Sequence, residues 1–140
     1  MIEHILLATD GSAAAERAAD MAASLAIRYG AKLTLLHAYH PIPIILGEPN
    51  YSQALERALE GSNKLLEAVS KRLREIGVQD VICELVEGSP TDAILSVVET
   101  RKPDLVVVGS RGLGTWQGAF LGSVSMSVTQ RAGCPVLVVK

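Results

Sequence analysis

The sequence contains few of the residues that usually build disulfide frameworks or metal centres. Its 140 residues include two cysteines, Cys83 and Cys134, and three scattered histidines. The cysteines are far apart and have neither a CxxC nor a Cys/His spacing, which argues against a redox motif and against a metal site. We therefore expect both thiols to be buried and inert, and no metal site built from side chains.

An excess of positive charge and long apolar runs are also missing. Thirteen Lys and Arg face fifteen Asp and Glu, for a net charge of −2, and the basic residues form no cluster. Nucleic-acid binding normally needs such a cluster. No apolar stretch approaches the length of a membrane span, and "MIEHILLATDGS" has an acidic residue where a signal peptide would be basic. These absences predict a cytoplasmic protein that binds neither nucleic acid nor membrane.

Aromatic residues are scarce, at 4% of the chain, whereas hydrophobic residues make up 49%. This balance excludes disorder and favours a core of alanine, valine and leucine. A chain of this length buries a core without the help of disulfides or metals. We expect one domain spanning residues 1–140.

Short apolar runs alternate with segments of helical character along the whole chain. The predicted strands are residues 4–9, 32–39, 81–87, 104–109 and 135–140. The predicted helices are residues 13–29, 51–76, 90–100 and 123–131. Continuous apolar strands separated by helices are typical of an α/β domain with a parallel sheet covered on both faces. In such a sheet, ligands bind beyond the carboxyl ends of the strands.

Five of the twelve glycines lie between residues 106 and 124. Gly109, Gly112, Gly122 and Ser123 give the spacing G-x2-G-x9-G-S between a strand and a helix. Glycines let a backbone approach a ligand closely, and a helix start presents unpaired N–H groups and a positive dipole end to an anion. This context predicts a phosphate-binding loop.

Several residues near the predicted site have two possible roles. Ser123 either caps the last helix or hydrogen-bonds an anion, and Arg111 either pairs with a phosphate or is a solvated loop charge. Asp10 either accepts hydrogen bonds from sugar hydroxyls or caps a turn. Trp116 either closes the site by packing on Phe120 or anchors its loop on the core. The sequence leaves these alternatives open.

The glycine pattern is not one of the familiar nucleotide motifs. The chain has no GxxxxGK[ST], and its glycines follow the fourth strand, whereas the dinucleotide fingerprint follows the first. The sequence instead resembles the ATP-binding branch of the universal stress proteins over its whole length. The resemblance rests on "ILLATDGS", "LTLLHAY", "VEGSPTDAIL", "DLVVVGSRGLG", "FLGSVS" and "CPVLVVK", together with the complete G-x2-G-x9-G-S pattern.

The resemblance implies an adenine-nucleotide-binding, Rossmann-like fold with three α/β/α layers. Its five-stranded parallel sheet has the order 3-2-1-4-5 and four flanking helices, and ATP binds between strands one and four. Asp10 would hold the ribose, and the backbone at Ala8 and Ala38 would frame the adenine, although the family often has a larger aliphatic residue at the position of Ala38. The expected nucleotide-binding residues are Ala8, Thr9, Asp10, Ala38, Gly109, Ser110, Arg111, Gly112, Gly114, Gly122, Ser123, Val124 and Ser125. Any accompanying magnesium would be held mainly by the phosphates, because no carboxylate cluster is visible.

The last strand, Val136 to Val139, is short, apolar and terminal. If it lies at the edge of the sheet, its unpaired backbone groups invite a partner strand. A twofold dimer would satisfy them, and the family resemblance also implies a homodimer through this strand.

Three functions fit these features to different degrees. A nucleotide-dependent stress regulator, acting on an unknown protein partner, needs binding without turnover. A slow ATPase or phosphotransferase would use the same cleft, but the glycine loop has no lysine, and Arg111 is its only cation. A nucleotide-free interaction module would leave the glycine pattern without a reason. We therefore expect a binding protein, with weak ATP hydrolysis at most.

Overall fold

The five strands form one parallel sheet, and their order, numbered along the chain, is 3-2-1-4-5, as the family resemblance implies. The structure is a computed structural model that describes residues 1–111 and 121–140. Its elements are β1 (His4–Ala8), α1 (Ala13–Tyr29), β2 (Lys32–Tyr39), α2 (Asn50–Ile76), β3 (Val81–Glu87), α3 (Pro90–Arg101), β4 (Leu105–Gly109), α4 (Ser123–Arg131) and β5 (Val136–Val139). A short 3-10 turn, Ile44–Leu46, interrupts the proline-rich segment after β2.

The first helix shows how local sequence sets the element boundaries. Ser12 precedes α1 and its Oγ accepts a hydrogen bond from the Ala15 N–H, as expected of an N-cap. Gly30 ends the helix with a left-handed φ of 64°. The buried face of the helix consists of alanines only: Ala14, Ala15, Ala18, Ala19, Ala22, Ala23 and Ala26. The helical spacing of the sequence also predicts Met21 on this face, but Met21 is 44% exposed, so that prediction is wrong.

Side chains of the sheet alternate between two cores. Ile5 and Leu7 of β1 pack against α1 and α2, whereas Leu6 between them packs against α3 and α4. All three side chains are fully buried. This burial on both faces explains why the strands are continuous apolar runs.

The two cysteines differ from the sequence expectation. Cys83 is exposed on β3, which is an edge strand, so the prediction that it is buried is wrong. Cys134 is half-buried, and burial raises the pKa of its thiol. A raised pKa disfavours the reactive thiolate at neutral pH, which agrees with an inert Cys134.

In residues 1–111 and 121–140, none of the helices combines the length and the apolar character needed to cross a bilayer.

The carboxyl end of β4 touches the first turn of α1. A Cβ placed on Gly109 would lie 2.8 Å from the Ala14 carbonyl carbon and 2.9 Å from the Ala15 nitrogen. Both contacts are to backbone atoms, so a side chain at this position requires the helix itself to move. Gly109 is therefore needed for packing, whatever it contributes to a ligand.

We expect Gly109→Ala to destabilise the protein by about 1–3 kcal/mol, because the added methyl group overpacks a rigid backbone contact. Gly61→Ala is the matched control, since Gly61 lies within α2 and a Cβ there meets nothing within 4 Å. That control should raise the unfolding free energy by about 0.5–1 kcal/mol through helix propensity. Urea unfolding of the two variants measures both changes. Equal effects of the two substitutions would contradict the contact described at Gly109.

A buried histidine lies at the opposite end of the sheet. His4 is 6% exposed, and its Nε2 lies 2.8 Å from the Thr34 hydroxyl oxygen. Burial, followed by the positive charge of Lys32, lowers the pKa of His4 below its ordinary value. The negative charge of Asp104 and a hydrogen bond to the Arg101 backbone act in the opposite direction and are weaker. The folded protein therefore favours neutral His4.

This shift predicts a loss of stability in mild acid. The unfolded chain binds a proton at this residue near pH 6.5, whereas the folded chain resists it, so the unfolding free energy should fall as the pH drops from about 7 to 5. In His4→Gln, which carries no titrating group, the fall should be smaller over the same window. Thermal unfolding at several pH values measures this difference. A variant with the same pH profile as the unaltered protein would refute the assignment to His4.

Candidate functional site

A cleft of about 460 Å³ opens at the carboxyl ends of the central strands. It lies where β1 and β4 meet and the strand order reverses, which is the usual ligand position in such sheets. Its volume falls within the range of small-molecule sites. Eleven residues predicted from the sequence line it: Ala8, Thr9, Asp10, Ala38, Gly109, Ser110, Arg111, Gly122, Ser123, Val124 and Ser125. Gly112 and Gly114, like Trp116 and Phe120, lie outside the described residues.

One end of the cleft is apolar because small residues end two strands there. Ala8 ends β1, and Ala38 lies near the end of β2, on the sheet face covered by α3. Pro90 and Ile94 of that helix line the opposite wall. Larger side chains at the alanines would fill this space, so the two small residues create room for a flat apolar group.

The loop between β1 and α1 forms the rim beside this apolar end. Its tight turn has Gly11 at φ 80°, a left-handed conformation that glycine adopts without strain. The Asp10 Oδ1 atom accepts the Ser12 N–H at 2.9 Å, and the Thr9 hydroxyl accepts the Gly11 N–H at 3.3 Å. Asp10 thus makes the turn contact that the sequence left as one alternative, and it also lines the cleft.

A hydrogen bond joins this rim to the loop after β4. The Ser12 hydroxyl donates to the Arg111 carbonyl over 3.3 Å, while it also accepts from the Ala15 N–H. The side chain of Arg111 is exposed. The two loops at the reversal point of the sheet therefore meet through backbone and hydroxyl groups, which leaves the guanidinium of Arg111 available to a ligand or to solvent.

Ser110 closes the base of the glycine-rich loop. Its carbonyl accepts the Gly122 N–H at 2.6 Å and the Ser125 hydroxyl at 3.0 Å. Its own N–H donates to the Val139 carbonyl at 2.7 Å. The single hydroxyl hydrogen of Ser125 is shared between the carbonyls of Ser110 and Gly122. The Ser125 hydroxyl therefore holds the loop to the start of α4. With that hydroxyl hydrogen in use, the backbone N–H is the group that Ser125 can offer to a ligand in the cleft.

The polar end of the cleft is the start of α4. Gly122 is the N-cap and has no side chain with which to cap the helix, in contrast to Ser12 of α1. Ser123 is the first helical residue and is exposed, so the alternative that Ser123 caps this helix is wrong. The N–H groups of the first helical turn have no intrahelical acceptor and carry the positive end of the helix dipole. This end of the cleft is built to meet an anion.

Charged groups are sparse around the cleft. Of the described residues that line it, Arg111 is the only lysine or arginine. Residues 1–111 and 121–140 contain no group of three His, Cys, Asp or Glu that could hold a metal ion. A divalent ion here would have to take most of its ligands from a bound phosphate chain.

The structure adds wall residues that the sequence pattern did not single out. His37, Tyr39 and His40 come from the end of β2 and the segment after it, and Pro90 and Ile94 come from α3. The segment "HAYH" lies at the carboxyl end of a predicted strand, where ligand contacts concentrate, and this position could have indicated His37, Tyr39 and His40. Ile94 carried no such signal, because it matches the pattern of an ordinary core residue.

Comparison with known proteins gives a consistent result. The family model described as "Universal stress protein family" matches residues 1–140. A universal stress protein of Thermus aquaticus is 44% identical over 140 residues, with all of both chains covered. A universal stress protein solved in complex with cAMP is 30% identical with a TM-score of 0.80, covering 99% of this chain and 97% of the other.

An Arabidopsis thaliana family protein solved with AMP bound is 27% identical with a TM-score of 0.69, covering 99% of this chain and 91% of that one. Two of these similar structures thus contain adenine nucleotides. On the full-length family match and the 44% identity, the chain belongs to the universal stress protein family.

Proposed function

We propose that residues 1–140 form one domain that binds an adenine nucleotide in the cleft at the ends of β1 and β4. The nucleotide that we propose is ATP. One observation carries the proposal: a single cleft combines an apolar end at Ala8 and Ala38 with a helix start at Gly122 that has no capping side chain. A nucleotide has a matching two-part chemistry, with a flat aromatic base at one end and phosphates at the other. The similar structures that hold cAMP and AMP support the choice of adenine.

In this proposal, each part of the nucleotide meets a different segment of the chain. The adenine lies between the alanines and α3, and the ribose hydroxyls donate to the Asp10 carboxylate, which offers about four acceptor positions. The phosphates accept hydrogen bonds from the first N–H groups of α4, with Arg111 nearby. Magnesium, when present, is held mainly by the phosphate oxygens.

The same cleft is poorly equipped for phosphoryl transfer. Efficient transfer needs a positioned base and several cations around the reacting phosphate. Among the described lining residues, Arg111 is the only lysine or arginine. We therefore propose a regulator whose nucleotide-bound form acts on a protein partner, and we expect very slow hydrolysis if there is any.

The regulator is proposed to be a homodimer joined through β5. This strand lies at the edge of the sheet, and all four of its apolar residues, Val136–Val139, are only half-buried. The Pro135 and Val139 carbonyls accept hydrogen bonds from the β4 side. Because alternate residues of a strand direct their backbone groups to opposite sides, Val136 and Val138 direct theirs to the open edge. Two copies of this edge satisfy one another across a twofold axis.

Calorimetric titration of nucleotide-free protein with ATP and magnesium should show saturable binding of about one ATP per chain. Ser123→Asp should weaken this binding at least about tenfold, because its carboxylate repels the phosphates at close range. The fold should survive, since an acidic residue in the first helical turn is favourable to the helix dipole.

Gln53→Glu is the matched control for Ser123→Asp. It adds the same charge to the first turn of α2, outside the cleft lining, and should leave ATP affinity unchanged. Absence of ATP binding by the unaltered protein would overturn the proposed function. Equal losses in the two variants would overturn the placement of the phosphates at α4. Repeated turnovers in a phosphate-release assay would replace the binding protein with an enzyme.

Val138→Pro tests the dimer without touching the β4 ladder. Proline removes an outward N–H from an edge strand, a position where this residue is tolerated in sheets. Sedimentation velocity should show a dimer for the unaltered protein and at least about tenfold weaker association for the variant, which loses a hydrogen bond in each copy. Circular dichroism should show an unchanged fold. A variant that dimerises as before would exclude pairing through β5.

A further inference from the structure

A histidine of β2 holds the backbone that carries Asp10. The Nδ1 atom of His37 lies 2.8 Å from the Thr9 carbonyl oxygen. A carbonyl oxygen can only accept, so Nδ1 carries the hydrogen and the ring is fixed in the tautomer that donates from this atom. His37 also lines the cleft.

This contact lies where the regular strand pairing of β1 stops. β1 ends at Ala8, whereas β2 continues to Tyr39, and the Thr9 N–H makes the last backbone contact of this strand with the Leu36 carbonyl at 2.9 Å. Thr9 is buried, at 7% exposure, so its carbonyl needs a partner from within the protein. The imidazole of His37 supplies that partner from the neighbouring strand.

Consecutive residues of β2 serve two parts of the cleft because they lie on opposite faces of the sheet. Ala38 packs with the core on the α3 side, where the adenine is proposed to lie. His37 continues the row of Leu33 and Leu35, which pack on the α1 side. From that side, its ring reaches over the end of β1 to the peptide that joins Thr9 to Asp10.

The orientation of this peptide sets the direction of the Asp10 side chain. His37 fixes its carbonyl, and beyond it the Asp10 carboxylate is tied to the Ser12 N–H. Rotation of the peptide would break the first bond and swing the Asp10 Cα–Cβ bond relative to the cleft. Through the Thr9 carbonyl, β2 therefore fixes the backbone of the loop between β1 and α1.

We propose that His37 is a positioning residue that aims the Asp10 carboxylate at the ribose hydroxyls and so sets the preference for nucleotides with an intact ribose. The proposal rests on the proposed nucleotide function and adds a residue that determines specificity within it. His37 acts through the Thr9 carbonyl and Asp10, and it does so without touching the phosphates.

The readout that separates this role from general support of the fold is the ratio of the affinities for ATP and 2′,3′-dideoxyATP. In the unaltered protein ATP should bind at least about tenfold more tightly, because the dideoxy compound leaves a carboxylate without its hydroxyl donors. In His37→Leu this ratio should fall close to one, because the affinity for ATP falls much more than the affinity for dideoxyATP, which makes no hydroxyl contact to Asp10.

Two further substitutions provide matched controls. The side-chain amide nitrogen of asparagine occupies the position of Nδ1, so His37→Asn should keep the bond to Thr9 and retain the ratio to within about twofold. Glutamine places its amide one carbon farther along, so His37→Gln should resemble His37→Leu. Thermal unfolding of all variants records any loss of the folded state.

The outcomes distinguish the two proposals. Equal weakening of ATP and dideoxyATP in His37→Leu, which leaves their ratio unchanged, would show a structural role alone and overturn the role of His37, while the nucleotide function stands. A collapsed ratio in His37→Asn would overturn the role of His37 as well. If the unaltered protein binds neither compound, both proposals fall together.

Discussion

The cleft depends on the close approach of α1 to the end of β4. Because Gly109 has no side chain, Ala14 and Ala15 of α1 lie directly against its backbone. The rest of the buried face of α1 is also made of alanines, so the helix packs closely on the sheet along its length. The approach brings the loop after β1 to the loop after β4, where the Ser12 hydroxyl reaches the Arg111 carbonyl. A helix held farther away would separate the two loops that bound the cleft. The cleft therefore depends first on the close packing of these small residues.

The walls of the cleft are held mainly by backbone groups. The Ser110 carbonyl fastens the start of α4 by accepting the Gly122 N–H, and the Thr9 carbonyl fastens the opposite rim through His37. Both carbonyls lie just beyond the end of a strand, where regular pairing has stopped. Because these contacts are present without a ligand, the two walls that they hold lose little conformational entropy on binding. Preformed walls of this kind suit the proposed recognition of a nucleotide.

The sequence predicts the order of elements well, because short apolar runs, capping serines and terminating glycines are local signals. Helix α1 has the predicted bounds, with Ser12 and Gly30 as its two caps. The sequence fails where the outcome depends on distant neighbours. Cys83 is exposed because β3 is an edge strand, and the bond from His37 to Thr9 joins residues far apart in sequence. Ser123 fails for a local reason, since the extended backbone of the preceding Gly122 makes the glycine the cap.

The cleft and the open edge of the sheet meet at one residue, Ser110. The Ser110 N–H bonds to the Val139 carbonyl at the end of β5, while the carbonyl of Ser110 receives the Gly122 N–H at the start of α4. Ser110, the residue that follows β4, thus links the edge strand β5 to the start of α4. Any displacement of β5 along its axis would pull on Ser110 and, through it, on the first turn of α4. The two groups belong to adjacent peptides joined at the Ser110 Cα, so one residue carries the displacement from the edge of the sheet to the cleft.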